Sequence, residues 1–268
     1  MKERKAIWQT DRTGIKWSRE ETILAFDLYC RTPFGKISQG NPEIIKLAHL
    51  LGRTPGSVGL KMHNLAHYDP ELQKRNVTAM AHGSKLDGEI FQSFQEIGQI
   101  YRIKLSLSAQ NWKNKDISEV IDLGDIDVIP AGKYRDQMMK TRVGQYFFRM
   151  TVLNSYENRC CVTGLKQPEL LVASHIKPWK VSDERTERTN PANGLCLNAL
   201  HDKAFDRGLI TLDKRYKIIV SRKLKDTEMD SETKSWFMGY SDHQIILPDK
   251  FLPGKDFIEY HNDVIFQR

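Results

Sequence analysis

Ala173-Ser174-His175-Ile176-Lys177-Pro178, followed by Asn193-Gly194-Leu195 and then Leu200-His201, is the stretch from which the rest of the chain is read. Three polar side chains, His175, Asn193 and His201, stand there among apolar neighbours. Just upstream, Arg159 to Thr163 and Leu171 to Ile176 are short runs of β type. Gly164-Leu165-Lys166-Gln167-Pro168 turns the chain between them. They predict a hairpin whose second strand ends at His175. Ser182 to Asn190 is a polar loop, and Leu195 to Leu197 re-enter the core. Asn198 is placed to cap a short helix, Ala199 to Phe205, that carries His201, and Gly208 ends it. Leu209 to Leu212 and Tyr216 to Val220 predict a second hairpin across Asp213-Lys214-Arg215.

A length of 268 residues suffices for one large domain or two ordinary ones. Hydrophobic residues at 40% and charged residues at 28% are ordinary globular usage. A formal charge of +7 and a pI near 9.1 lean toward a polyanionic partner, of which nucleic acid is the commonest. No run of about 18 apolar residues exists, so no membrane span is expected. Met1-Lys2-Glu3-Arg4-Lys5 leads into no apolar segment, so a cytoplasmic setting is expected. Cys30, Cys160, Cys161 and Cys196 form no C-x-x-C pair and read as reduced thiols.

The first hundred residues read as helices. Ser18-Arg19-Glu20-Glu21 is a capping box, and Ile23 to Tyr29 give a mostly buried helix that Pro33 and Gly35 end. Asn41-Pro42 starts a second helix, whose apolar face is Ile44, Ile45, Leu47, Ala48, Leu50 and Leu51. Thr54-Pro55 starts a third, from Ser57 to about His67. Two short helices joined by Gly52-Arg53-Thr54 outline a helix-turn-helix-like unit, which presents Arg53, Ser57, Lys61 and Asn64 to DNA. A plain helical bundle with a solvated polar face explains the same pattern. Asp87 to Tyr101 is an amphipathic helix, and residues 105–133 read as a linker. The expected division is a helical domain at 1–104, that linker, and a catalytic domain at 134–268, giving an α+β chain. Arg135 to Tyr156 opens the last part as a helix.

The three polar residues suit phosphodiester hydrolysis. A neutral imidazole fixed at a strand end takes a proton from water near pH 7. An imidazole on a facing helix ligates a divalent cation. Such a cation stabilises both the developing charge and the leaving oxygen. An amide between the two orients the base or its loop. His175 is therefore the candidate general base, Asn193 the orienting amide and His201 a metal ligand. Each has a plainer reading alone: a core histidine, a turn residue, a helix-surface histidine. Their order along hairpin and helix points to a site. Lys177, Lys203 and Arg207 lie around it as candidate phosphate contacts.

Residues from about Arg142 to Leu212 resemble the HNH endonuclease family, with its ββα-metal fold. The resemblance rests on Gly144-Gln145-Tyr146-Phe147-Phe148-Arg149 and Cys161-Val162-Thr163-Gly164 together with the three spaced motifs. The last of these extends through His201-Asp202-Lys203-Ala204-Phe205-Asp206-Arg207-Gly208-Leu209. It is similar to the branch of bacterial restriction-type nucleases. The resemblance implies a DNA endonuclease of restriction or defence type, using one divalent ion, Mg²⁺ or Mn²⁺, and leaving 5′-phosphate and 3′-hydroxyl ends. Double-stranded DNA is the implied partner, and cutting both strands implies a homodimer. A nickase and an uncatalytic DNA-binding regulator are the alternatives. Many family members place Asp or His just before the first His, as a metal ligand, but this chain has Ser174. Asp206 is the substitute candidate, with capping or pairing to Arg207 as its other reading and Ser174 through water as a third.

Overall fold

Ser18 opens the first helix of the computed structural model, which describes residues 14–69, 83–92 and 133–268. Two compact units, 1–147 and 148–268, divide the chain. The segment read as a linker lies outside the described residues except for its last position, as do residues 93–101 of the helix expected at 87–101.

In the first unit, helix α1 (Arg19–Arg31) is the centre. Ser18 Oγ accepts from the Glu21 amide and Glu21 returns the bond to the Ser18 amide, which closes the capping box. Every residue from Glu21 to Cys30 is buried, because α1 is covered by α2 (Pro42–Leu51), α3 (Pro55–Ala66) and α4 (Lys85–Gln92). Gly52 ends α2 at φ 63°, and Thr54 then caps α3, so the two-helix turn forms where its cap residues demand. Only Ile44, Ala48 and Leu51 of α2 are fully buried; Ile45, Leu47 and Leu50 reach partly into solvent.

Two charged pairs lie inside this unit. Arg53 meets Glu21 at 2.8 Å, with side chains 3% and 7% exposed. It also donates to the carbonyls of Ile15 and Lys16 and lies over the Trp17 ring. Lys61 meets Asp87 at 2.8 Å, equally buried. Removing one partner of such a pair strands the other charge without water.

In the second unit the C-terminal part of helix α5 (Lys133–Ser155) packs on a two-stranded sheet. The expected hairpin between Arg159–Thr163 and Leu171–Ile176 is corrected here. Residues 159–163 form turns: Glu157 and Asn158 take positive φ as the chain leaves α5, and Gly164 turns it again at φ 74°. Cys161 contributes only single backbone bonds, to Cys196 and from Ile246. The true partner of β1 (Leu171–His175) is β2 (Gly194–Asn198), antiparallel, with His175 opposite Gly194. Gly194 is required there, because a Cβ would lie 2.4 Å from Val152 and 2.9 Å from Phe148 of α5.

Asn198 ends β2 and at once caps α6 (Ala199–Asp206), accepting from the His201 amide. Helix α6 packs on both strands and on β3 (Ile210–Leu212), which pairs with β4 (Ile218–Val220) as the expected second hairpin. The short helices α7 (Arg222–Lys225) and α8 (Ser231–Met238) follow. The chain then closes with α9 (Lys255–Tyr260), which runs into a π-helical turn over His261–Ile265. That turn lies against Gly208, where a Cβ would stand 2.0 Å from the Ile265 carbonyl oxygen.

Candidate active site

His175 is the last residue of β1. Its ring stacks on Phe148, with centroids 3.7 Å apart and planes 13° from parallel, and meets the edge of Trp179. Nε2 lies 2.9 Å from the Arg188 carbonyl oxygen. A carbonyl only accepts, so Nε2 carries the proton and Nδ1 holds the lone pair. Burial lowers the pKa below its usual 6.5, and the Arg188 carbonyl, which favours the charged ring, offsets this only in part. The ring is therefore neutral at pH 7, with its basic nitrogen defined by the backbone.

Asn193 is wholly buried. Its Oδ1 accepts from the Lys177 amide at 2.8 Å. Its Nδ2 points to the Lys177 carbonyl, Ser182 Oγ and the Glu187 carbonyl at 3.1, 3.3 and 3.4 Å. One amide thus ties both ends of the 177–193 loop together. The Lys177 ammonium meets Glu187 at 2.6 Å, and the Glu187 carboxylate also receives the Asp183 amide. Lys177 is thereby committed to the loop, which corrects its reading as a free phosphate contact. Arg188 donates to the carbonyls of Trp179 and Ser182. These bonds fix the carbonyl that sets the His175 tautomer.

His201 is placed differently from a ligand with a free lone pair. It is buried at 2% exposure, packed against Phe237 and Tyr240. Its Nδ1 faces Asn198 Oδ1 at 3.0 Å and its Nε2 faces the Trp236 carbonyl at 3.1 Å. Both nitrogens face oxygen acceptors, and burial lowers the pKa of the ring, so the neutral ring donates to only one of the two.

One position on, Asp202 faces β1. Asp206 follows one helical turn later on the same side, since residues four apart are neighbours on a helix. Asp206 reaches solvent, yet enough protein surrounds it to raise its pKa, first through burial and then through repulsion from Asp202. Asp202 is raised by burial as well, against a partial pull downward from Ser174 and Lys203. Ser174 is 3% exposed, and its Oγ has no partner of good hydrogen-bond geometry, although it stands close enough to Asp202 to exert that pull. Ser174 and His175 are consecutive on a strand, so they leave its two faces: Ser174 toward α6, His175 toward α5.

Residues 160–213 match the family model of the HNH endonucleases. No curated protein matches the chain. The chain therefore carries an HNH endonuclease domain, and DNA is the substrate such a domain implies. The matched span holds β1, the 177–193 loop, β2, α6 and β3, and so every residue described above on those elements.

HNH nucleases generally work with a divalent ion. Among the described residues no three His, Cys, Asp or Glu side chains converge on one point. The two carboxylates beside Ser174 nevertheless suit a hard cation, which needs one or two carboxylates and fills its other positions with water. Lys203 and Arg207 are exposed on either side of Asp206 in sequence and lower its pKa, which keeps both near the HNH site as cations. Asp202 was not singled out from the sequence, although it stands half-buried beside Ser174. Its signal was the spacing Asp202-x-x-x-Asp206, which puts two like charges on one helix face.

The first unit takes two expected DNA contacts out of reach. Arg53 and Lys61 are buried in ion pairs, so neither guanidinium nor ammonium is presented to a groove. Ser57 and Asn64 keep part of their side chains in solvent. No helix among the described residues is long and apolar enough to cross a membrane.

Proposed function

We propose that the chain is a divalent-metal-dependent DNA endonuclease of restriction or defence type, with His175 as its general base. The observation that carries this is the bond from His175 Nε2 to the Arg188 carbonyl, which leaves Nδ1 as the proton acceptor of a neutral ring. Nδ1 takes a proton from a water as its oxygen attacks phosphorus, and the 3′ oxygen departs. The ends are then a 5′-phosphate and a 3′-hydroxyl. When bound, a divalent ion neutralises charge at the phosphate and stabilises the leaving oxygen. Asn193 acts one step back: it holds the loop whose carbonyl orients the base. The acidic face of α6 would hold the ion, and Lys203 and Arg207 would contact flanking phosphates.

Double-stranded DNA is also the proposed partner of the first unit, read as helix-turn-helix-like, through Ser57 and Asn64. One centre per chain makes a homodimer the proposed form for cutting both strands; light scattering with and without DNA tests this, and a monomer that only nicks would replace it. Supercoiled plasmid incubated with Mg²⁺ or Mn²⁺ tests the activity itself. Nicked and linear products with religatable 5′-phosphate ends are expected. Intact plasmid with either ion, on modified and unmodified DNA alike, would overturn the proposal.

A further inference from the structure

Tyr260 and His261 are consecutive at the end of α9, yet they touch two different parts of the HNH unit. His261 is 1% exposed and stacks on Phe205 of α6, with ring centroids 3.8 Å apart. Its Nε2 lies 3.0 Å from the Phe205 carbonyl oxygen, and its Nδ1 lies 2.8 Å from Thr211 Oγ1 of β3. A carbonyl only accepts, so Nε2 carries the proton and donates to the last turn of α6. Asn262 Nδ2 donates to the Leu212 carbonyl, and Gln267 donates to the carbonyls of Gly208 and Arg207. The residues after Tyr260 are thereby fastened to α6 and β3.

Tyr260 faces the loop that follows β1. Its ring lies 5.3 Å from the Lys177 ammonium, within the range at which a ring face attracts a cation. The same ammonium is 2.6 Å from Glu187 Oε2. These two charged side chains are 20% and 23% exposed, so salt screens them less than an open surface pair. Glu187 immediately precedes Arg188, whose carbonyl takes the proton of His175 Nε2. The route from the C-terminal segment to the imidazole therefore runs from ring to ammonium, from ammonium to carboxylate, and from the next carbonyl to His175. A second tie reaches the far end of the loop, where the Gly254 amide donates to the Ala192 carbonyl at 2.8 Å, beside Asn193. A segment that only covered apolar surface would need neither tie. Tyr260 and Gly254 both lie outside the span that matches the family model.

We propose that Tyr260 is a positioning residue for His175. Anchored through His261 on α6 and β3, its ring holds the Lys177–Glu187 pair, and through it the Arg188 carbonyl that keeps the His175 proton on Nε2. The part this tautomer plays in cleavage rests on the nuclease reading above; the tie itself does not.

Histidine-selective ¹⁵N NMR of the full chain at neutral pH tests this, with the His175 ring assigned by its loss in His175→Gln. In wild type Nε2 should appear as the protonated nitrogen and Nδ1 as the unprotonated one. Tyr260→Phe keeps the ring and should leave both signals in place. Tyr260→Leu, shown by its melting curve to be folded, should move the two signals toward each other as the imidazole samples both tautomers. Should that variant not fold, Lys177→Met decides: it takes the ammonium out of the same route and should give the same convergence. In single-turnover plasmid cleavage Tyr260→Leu should lower the rate by about 10- to 100-fold at unchanged DNA affinity, the size expected when a reacting group is misplaced by about 1 Å. Three results overturn the inference: wild-type ring signals in a folded Tyr260→Leu or, failing that variant, in Lys177→Met; convergence already in Tyr260→Phe; or cleavage at the wild-type rate by Tyr260→Leu. The two readings fail separately. Convergence in Tyr260→Leu with no cleavage by wild type leaves the tie standing and removes the nuclease. Cleavage by wild type with unmoved signals in Tyr260→Leu does the reverse.

Discussion

The two units place their carboxylates differently. In the helical unit buried carboxylates meet cations: Glu21 with Arg53, Asp87 with Lys61 and Asp27 with Arg31. In the HNH unit Asp202 and Asp206 share a helix face as like charges, a buried hydroxyl beside them lacks a good partner, and His175 keeps one nitrogen unbonded to any described residue. Paired charges hold elements together. The unpaired ones lie in the span that matches the HNH endonuclease model. The first pattern marks architecture and the second marks chemistry.

That contrast can be broken or sharpened by substitution. The largest effect is expected at His175: His175→Ala should slow plasmid cleavage by about 10²- to 10⁴-fold while leaving the melting temperature close to wild type. A variant that cuts normally would remove His175 from the chemistry. Next, Arg53→Ala should destabilise the chain by about 3–5 kcal/mol in urea unfolding, because Glu21 is left buried and unpaired. A loss below 1 kcal/mol would mean that the pair is dispensable. Substituting Asn64→Ala is expected to cost about 1 kcal/mol in site-specific DNA affinity, the lower end for an amide contact to a base edge. An unchanged affinity would leave the helical unit as a plain bundle. The smallest effect is at Asp206. Without metal, Asp206→Asn should stabilise the fold by about 0.2–0.5 kcal/mol, since it removes a like-charge pair one helical turn apart. Added Mn²⁺ should reverse that ranking; destabilisation in both conditions would give Asp206 a structural role.

Local signals carried most of the helical unit and half of the site. Ser18-x-x-Glu21, Asn41-Pro42, Thr54-Pro55 and Asn198 each cap a helix where the sequence places them, because capping is decided within four residues. The β3–β4 hairpin is equally local. Distant partners were not legible. Arg53 finds Glu21 across 32 residues and Lys61 finds Asp87 across 26, so two apparent DNA contacts became core ion pairs. β1 pairs with a strand beyond the 177–193 loop, and nothing in Arg159 to Thr163 reveals that the nearer run forms turns. The contact of His201 with the Trp236 carbonyl likewise comes from 35 residues away. Asp202 was legible in principle, through its spacing from Asp206, but the motif drew attention to the histidine beside it.

The account depends most on a neutral His175 whose proton sits on Nε2. The pH dependence of single-turnover cleavage between pH 5 and 8 tests this most directly. Burial lowers the pKa of the ring, so the base is competent above that value and is lost as pH falls through it. The rate should rise from acid pH through a midpoint below 6.5 and then level before neutrality. A rise centred above 6.5, or a profile that His175→Ala leaves unchanged at whatever rate remains, would contradict it.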